Sequence, residues 1–159
     1  MRKGFKIDLH LHSRAESPCS SHSAESMAEA AVKWGLDAIA FTNHNRYADG
    51  ERIKSLRRKF PKLKIYNGVE VSIGDEHFLC FGPCDPALEN WLFGYEELLQ
   101  RVRSKGGFIA LAHPYRFGSG VPCSLEKPTH AIEVHSMNTG RDDEEAIRSL
   151  AERTGAKLL

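Results

Sequence analysis

Strand-like and helix-like stretches alternate along almost the whole of this chain of 159 residues. Short apolar runs predict strands, and the longer amphipathic stretches between them predict helices. The predicted strands are 5–11, 37–42, 64–71, 77–82, 108–112, 131–135 and 156–159, and the predicted helices are 25–34, 49–60, 95–104 and 142–153. This alternation is typical of an α/β fold in which helices pack outside a mostly parallel sheet. The number of strands favours a small, distorted barrel over an open doubly wound sheet.

Composition and charge indicate a soluble globular protein, and we predict a single domain over residues 1–159. Hydrophobic residues make up 41% of the chain and charged residues 27%, which is ordinary for such proteins. The net charge of +1 gives no basic field that would indicate nucleic acid as an obligate partner. No apolar run approaches the roughly 20 residues that span a bilayer, and no signal peptide is recognisable. We therefore expect a cytoplasmic protein with no membrane partner.

The four cysteines do not predict a disulfide framework, because such frameworks are typical of small secreted chains. We predict that Cys80, Cys84 and Cys123 are thiols in or beside the core, since cysteine is among the residue types most often buried. Cys19 is a separate case, because it follows a pair of histidines.

Candidate metal ligands stand at or near the ends of the predicted strands. His10 and His12 in DLHLHS are two residues apart, so in a strand their side chains point to the same face. The segments FTNHN, GVEVS, EHFLCFG and AHPYR, each at the end of an apolar run, supply further ligand-type residues, among them His44, Glu70, His77 and His113. In α/β folds the site lies at the carboxyl ends of the strands, so we expect these side chains to converge. We do not expect His22 and His130 to be ligands.

Glu70 stands inside an apolar strand, where an unpaired carboxylate would be costly. A metal would remove that cost, and a carboxylate can bridge two ions. Neutral imidazole and carboxylate suit zinc, manganese or iron. Two such ions about 3.5–4 Å apart can hold a hydroxide nucleophile and clamp a phosphoryl group through attack and departure.

Three charged residues beside these ligands have predicted supporting roles. Arg116 follows His113 by three residues and can bind phosphate through both arms of its guanidinium, as can Arg14 from the first loop. Asp8 has the same strand parity as His10, so we predict that it orients a ligand histidine.

The segments DLHLHS, GLDAIAFTNHN, GVEVS, HFL, AHPYR and IEVHSMN occur in this order. In this ordered set the chain resembles the polymerase and histidinol phosphatase (PHP) superfamily of metal-dependent phosphoesterases, over nearly its whole length. The resemblance implies a distorted (β/α)7-type, TIM-barrel-like barrel with a cluster of up to about three divalent metal ions. It also implies hydrolysis of phosphomonoesters or phosphodiesters by a metal-bound hydroxide. Carried over by position, the implied ligands are His10, His12, His44, Glu70, His77 and His113, with Glu70 as the bridge.

Two positions depart from the family pattern near the first ligands. Asn43 stands where the family usually has Asp, and we expect it to tune the site by hydrogen bonding rather than to abolish it. After the two histidines the family commonly supplies an Asp or His, but here Ser17 and Pro18 stand in that place. Three alternatives are open for the further ligand: Cys19 as a thiolate supplies it, Glu16 supplies it, or this loop supplies none.

The third departure is at the C-terminus, where the chain ends in AKLL before the family's GSDAH-like motif, which carries an Asp and a His ligand. Truncation is the simplest account. His135 and Asp142 or Asp143 are imaginable substitutes for the two ligands, but none of them stands in the expected place. We expect a C-terminally incomplete barrel, a weaker metal cluster and an exposed edge that invites self-association.

These observations favour a metal-dependent phosphoesterase that acts on a small phosphate ester, a nucleotide or a single-stranded oligonucleotide end. Histidinol-phosphate phosphatase is a narrower alternative within the same class. A catalytically impaired scaffold or regulatory module, lacking the last ligands, is the alternative from a different class.

Overall fold

A computed structural model of the chain describes residues 4–117 and 128–159. These residues hold seven strands and four α-helices, which we number in chain order. The strands are β1 Ile7–Leu11, β2 Ala38–His44, β3 Lys64–Ile73, β4 Glu76–Phe81, β5 Phe108–Ala112, β6 Ala131–Ile132 and β7 Lys157–Leu158, and the helices are α1 Ala24–Lys33, α2 Gly50–Lys59, α3 Tyr95–Ser104 and α4 Glu144–Thr154. Within the described ranges, every helix is too short or too polar to cross a membrane.

Contacts between Cα atoms divide the chain into two compact units. The first unit consists of Met1–Glu70 and Cys84–Asn90, and the second of Val71–Pro83 and Trp91–Leu159. Strand β3 contributes its longer part to the first unit and its last residues to the second.

In the first unit, β1, β2 and β3 pair in parallel and in chain order. The register between β1 and β2 shifts between Asp8 and Leu11, whereas β2 and β3 pair without interruption up to His44, which lies opposite Glu70. This ladder brings a predicted ligand of β2 beside the predicted bridging carboxylate of β3.

Apolar side chains of α1 and α2 form the core of the first unit together with β2. Ile39 and Phe41 of β2 are fully buried in this cluster, with Ala28 of α1 and Leu56 of α2. His44 has the opposite strand parity to Phe41, so its side chain points to the other face of the sheet. The core therefore holds β2 from one face, while the other face carries the histidine.

In the second unit, β4 pairs antiparallel with β5, and β5, β6 and β7 pair in parallel. Leu79, Ala110, Ala112 and Ala131 form a buried cluster on these strands. Most of the described strand pairs are parallel, as predicted, and β4 with β5 is an antiparallel pair. A short turn at Gly74 joins β3 to β4, as the sequence also indicated.

The predicted elements are all present, but some boundaries differ. Strand β2 extends to His44, which we had placed after the strand, because Asn43 and His44 continue the ladder with β3. Strand β6 ends at Ile132 rather than at residue 135; Glu133 and Val134 are buried and still donate backbone hydrogen bonds to Leu111 and Leu159. A short 3-10 turn at Arg141–Asp143 precedes α4, which therefore begins at Glu144 rather than at residue 142.

The cysteines divide by exposure. Cys80 is buried in β4, as predicted, and burial raises the pKa of its thiol. The prediction for Cys84 is wrong: it is exposed, because it follows the end of β4 and the bend at Gly82 and Pro83. Cys123 lies outside the described residues.

We therefore expect iodoacetamide to modify Cys19 and Cys84 in the folded protein while Cys80 stays unmodified. The thiolate is the reactive form, and burial keeps the Cys80 thiol protonated and out of reach of the reagent. Peptide mass spectrometry after timed alkylation measures this order of reactivity. Unfolding in urea should equalise the rates, and equal rates in the folded protein would contradict the buried position of Cys80.

Candidate metal centre

Glu70 is the centre of a group of imidazoles in the first unit. Its side chain is fully buried within β3. Its Oε2 lies 2.9 Å from Nε2 of His12 and 2.9 Å from Nδ1 of His44, and its Oε1 lies 3.4 Å from Nε2 of His10. The two carboxylate oxygens thus face different histidines, which is the arrangement that a bridging ligand needs. We call His10, His12, His44 and Glu70 the Glu70 cluster.

The local fold explains why these residues meet. The Nε2 atoms of His10 and His12 lie 3.1 Å apart, so the two imidazoles point to one side, as expected for residues two apart at a strand end. The His44 ring meets the His12 ring edge to face with centroids 4.4 Å apart. Asn45 has a positive φ of 50°, and its amide donates to the carbonyl of Glu70, so the chain turns away directly after His44.

Burial lowers the pKa of His12, and this effect outweighs the hydrogen bond and charge of Glu70, which raise it. The neutral imidazole is the form that binds metals, because its ring nitrogen then offers a lone pair. Burial thus favours the neutral, ligand-competent form of His12 even when no metal is bound.

Cys19 lies beside the same cluster. Its Sγ is 3.1 Å from Nδ1 of His12. One ligand atom each from His12, Cys19 and His44 all lie within 4.8 Å of one another. The loop that carries Cys19 is held by backbone hydrogen bonds from Arg14 to His22 and from Ser20 to Ser17.

Two small polar residues position the cluster: Asn43, for which hydrogen bonding was expected from the sequence, and Ser17, for which no role was predicted. Ser17 is fully buried, and its hydroxyl accepts a hydrogen bond of 2.9 Å from the amide of His44. Oδ1 of Asn43 accepts from the amide of Ser13 at 2.7 Å, which fixes the chain directly after His12. Nδ2 of Asn43 is buried and has no hydrogen-bond partner among the described residues. A serine in a loop gives no sequence signal for such a role.

The other predicted residues of this unit have different surroundings. Glu16 pairs with Arg52 and accepts from the hydroxyl of Ser13, so its carboxylate is engaged there. Oδ1 of Asp8 accepts from the backbone amide of His10 at 3.0 Å, a contact with the main chain of a predicted ligand. Arg14 lines a pocket of about 340 Å³ beside α1 and α2.

His77 and His113 meet in the second unit, with ring centroids 5.1 Å apart. His77 lies on β4 opposite Ala112, the last residue of β5, so the pairing of these strands places it next to His113. The backbone of His113 has a positive φ of 24°, which is strained for a residue with a side chain. Such strain is concentrated at functional sites.

Glu133 is a carboxylate that the sequence analysis missed. It is buried, and its Oε2 accepts a hydrogen bond of 2.8 Å from the amide of His113. A signal was present, since Glu133 stands in the apolar run AIEV just as Glu70 stands in GVEV. The guanidinium of Arg116 is exposed and lies 4.9 Å over the ring of Phe117.

The two histidines that we did not expect to be ligands have other environments. Nδ1 of His130 accepts from the amide of Ile109 at 3.1 Å, and its ring stacks on Phe108. His22 is exposed in the loop before α1. His135, one of the imaginable substitutes at the C-terminal end, is exposed with Nε2 at 4.0 Å from Glu144.

Two solved structures share the fold of this chain. The chain has the fold of a candidate metal-dependent phosphoesterase from Bifidobacterium adolescentis, with a TM-score of 0.75 at 13% identity over 98% of this chain and 86% of that one. It is equally similar to an amidohydrolase from Chromobacterium violaceum whose structure holds sulfate and no metal, with a TM-score of 0.74 at 16% identity over 96% and 85% of the two chains. The predicted fold class, an α/β fold of the PHP barrel type, is confirmed.

The family is shown by a match to a protein-family model. The model of the PHP domain matches residues 8–151, and the chain therefore belongs to the PHP domain family. An uncharacterized protein of Methanocaldococcus jannaschii is 28% identical over 124 residues, which cover 70% of this chain and 68% of that protein. Family membership and fold together support a metal-dependent hydrolase as the general class.

Proposed function

We propose that this chain is a metal-dependent phosphoesterase that hydrolyses a phosphomonoester or phosphodiester. The observation that carries the proposal is the Glu70 cluster: a fully buried carboxylate whose two oxygens face three imidazoles within 3.4 Å. A buried carboxylate is costly unless it is paired or binds a metal. Imidazole nitrogens and carboxylate oxygens match zinc, manganese and iron(II), so the residues fit the implied metal.

Each residue of the cluster has a separate task in this proposal. Glu70 supplies the negative charge that balances divalent cations, while His10, His12 and His44 supply nitrogen donors. Asn43 and Ser17 hold the backbone of the segments that carry His12 and His44. Divalent ions bound there supply a Lewis acid and an activated water for attack at phosphorus.

The predicted roles of the second-unit residues belong to the same proposal. His77 and His113 are further candidate ligands, and the hydrogen bond to Glu133 fixes the strained backbone of His113. Arg116 is a candidate phosphate-binding residue, because its guanidinium is exposed and can bind two oxygens at once. Small phosphate esters, nucleotides and single-stranded ends are the proposed substrates.

The test is metal analysis of protein purified without chelator, together with activity assays. We expect about two or three equivalents of metal per chain and turnover of p-nitrophenyl phosphate or its diester. The panel should include nucleoside monophosphates, 5′-phosphorylated oligonucleotides and histidinol phosphate, and one amide substrate as a control for amidohydrolase activity. At most one equivalent, with no turnover after metal addition, would favour the scaffold alternative; turnover of the amide alone would point to an amidohydrolase.

Chelation provides an independent prediction. EDTA should abolish turnover and lower the midpoint of thermal unfolding, and added zinc or manganese should restore both. A metal at 100 times its dissociation constant stabilises the folded state by about 2.7 kcal/mol. Differential scanning calorimetry with and without metal measures the shift, and calcium is a control because it prefers sites made entirely of oxygen ligands. An unchanged midpoint at saturating zinc would contradict a folded-state metal site.

Size-exclusion chromatography with light scattering tests the proposed self-association. Both residues of β7 are exposed, so the backbone edge of this strand is a candidate contact. A monomer at high micromolar concentration would contradict it.

A further inference from the structure

We propose that Cys19 is a thiolate ligand in a metal subsite with His44, next to His12, and that this subsite makes the chain select thiophilic metals over manganese and magnesium. This inference rests on the proposed metal centre, but it does not depend on which bond the centre hydrolyses.

The first argument is convergence. Cys19 comes from the loop after β1, His44 from the end of β2, and His12 from the residue that follows β1. These three segments bring two nitrogens and one sulfur within 4.8 Å of one another. Cys19 is therefore part of a preassembled group of donors and not an isolated surface cysteine.

The second argument concerns the alternatives in the same loop. The carboxylate of Glu16 is paired with Arg52 and accepts from Ser13, and the hydroxyl of Ser17 accepts from the amide of His44. Both side chains are thus engaged in holding the loop and the strand end. Of the loop residues considered as ligands, Cys19 is the one whose donor atom lies within the ligand group.

The third argument is chemical. Thiolate is a soft ligand that favours zinc, iron(II) and cobalt(II), whereas magnesium and manganese favour oxygen. When the metal binds, the S–H bond breaks, a sulfur–metal bond forms and one proton leaves to solvent. Cys19 is exposed, so both the metal and the proton have direct access.

Cobalt(II) titration tests the proposal, because a sulfur–cobalt bond gives a charge-transfer absorption band in the near ultraviolet that oxygen and nitrogen ligands do not give. We expect the band in the wild-type protein and in Cys84→Ser, whose exposed thiol lies outside the ligand group. We expect its loss in Cys19→Ser, with zinc affinity at this subsite reduced by at least the roughly 10–100-fold that the loss of a residue hydrogen-bonded to a ligand costs. Competition should show zinc displacing manganese in the wild type, and a smaller preference for zinc in Cys19→Asp.

Alkylation of the wild type gives a second readout that needs no variant to fold. Zinc should slow the modification of Cys19 at least about tenfold while leaving the rate at Cys84 unchanged, since a bound thiolate is protected. Absence of the cobalt band in the wild type, or its persistence in Cys19→Ser, would overturn the proposal. The band would be absent from the wild type if Cys19 only formed a hydrogen bond with Nδ1 of His12 and bound no metal.

These outcomes separate the two proposals. A cobalt–thiolate band in a protein that hydrolyses no phosphate ester would leave the Cys19 ligand standing and remove the proposed reaction. Hydrolysis of phosphate esters without the band would do the reverse.

Discussion

Glu70→Gln is expected to lower phosphoesterase turnover by about 10³-fold or more. The substitution keeps the size of the side chain but removes the charge that holds divalent ions among the imidazoles. Metal-ion catalysis contributes several kcal/mol to transition-state stabilisation, and each 1.36 kcal/mol corresponds to a factor of about ten in rate. Steady-state kinetics at saturating metal, with metal content measured on the same sample, give the result.

The matched control is Glu51→Gln on α2, an exposed carboxylate that pairs with Lys54. Surface ion pairs of this kind contribute about 0–1 kcal/mol, so its turnover and metal content should equal those of the wild type. Circular dichroism should show that Glu70→Gln still folds. Wild-type turnover by a folded Glu70→Gln would remove Glu70 as the bridging ligand.

Phe41→Ala is expected to destabilise the protein by about 3–5 kcal/mol, the range for a large aromatic side chain truncated in a core. Phe41 is fully buried on β2 and packs in the cluster formed with α1 and α2. Native proteins have a total stability of about 5–15 kcal/mol, so this loss is a large fraction. Urea unfolding followed by circular dichroism measures it.

Phe41→Ala should also weaken metal binding, because the same strand carries His44 at its end. Phe93→Ala is the control: Phe93 is exposed, and its loss should change stability by no more than about 0.5 kcal/mol. A cost below about 1 kcal/mol for Phe41→Ala would contradict the packing described for β2.

The local pattern of the chain predicted the fold well where periodicity was strong. Helix α3 and strand β5 have the predicted bounds, because Gly94 precedes the helix and Gly106 and Gly107 separate it from the strand. Strand β6 was predicted too long because the apolar run AIEV continues past Ile132, yet Glu133 and Val134 make single backbone hydrogen bonds rather than a continued ladder. Such pairing depends on neighbours distant in sequence.

The candidate site was predictable in its residue types and less so in its supports. His10, His12, His44 and Glu70 were named from spacing and resemblance, and the structure brings them together. Ser17 was missed, because its importance comes from a hydrogen bond to the backbone of His44. Glu133, which accepts from the backbone of His113, was missed although its place in an apolar run was a signal. The predicted roles of the metal ligands themselves stay predictions until metal is measured.

The sequence by itself determined the α/β class, the PHP-type fold and the histidines and carboxylate from which a metal centre could be built, because strand period and ligand chemistry are local properties. Only the tertiary structure decided which loop residue has its donor atom beside the imidazoles. Cys19 and Glu16 are three residues apart, yet Arg52 of α2 engages Glu16, while Cys19 lies 3.1 Å from His12. The pairing of Glu16 with Arg52, 36 residues further along the chain, cannot be predicted from the local sequence pattern.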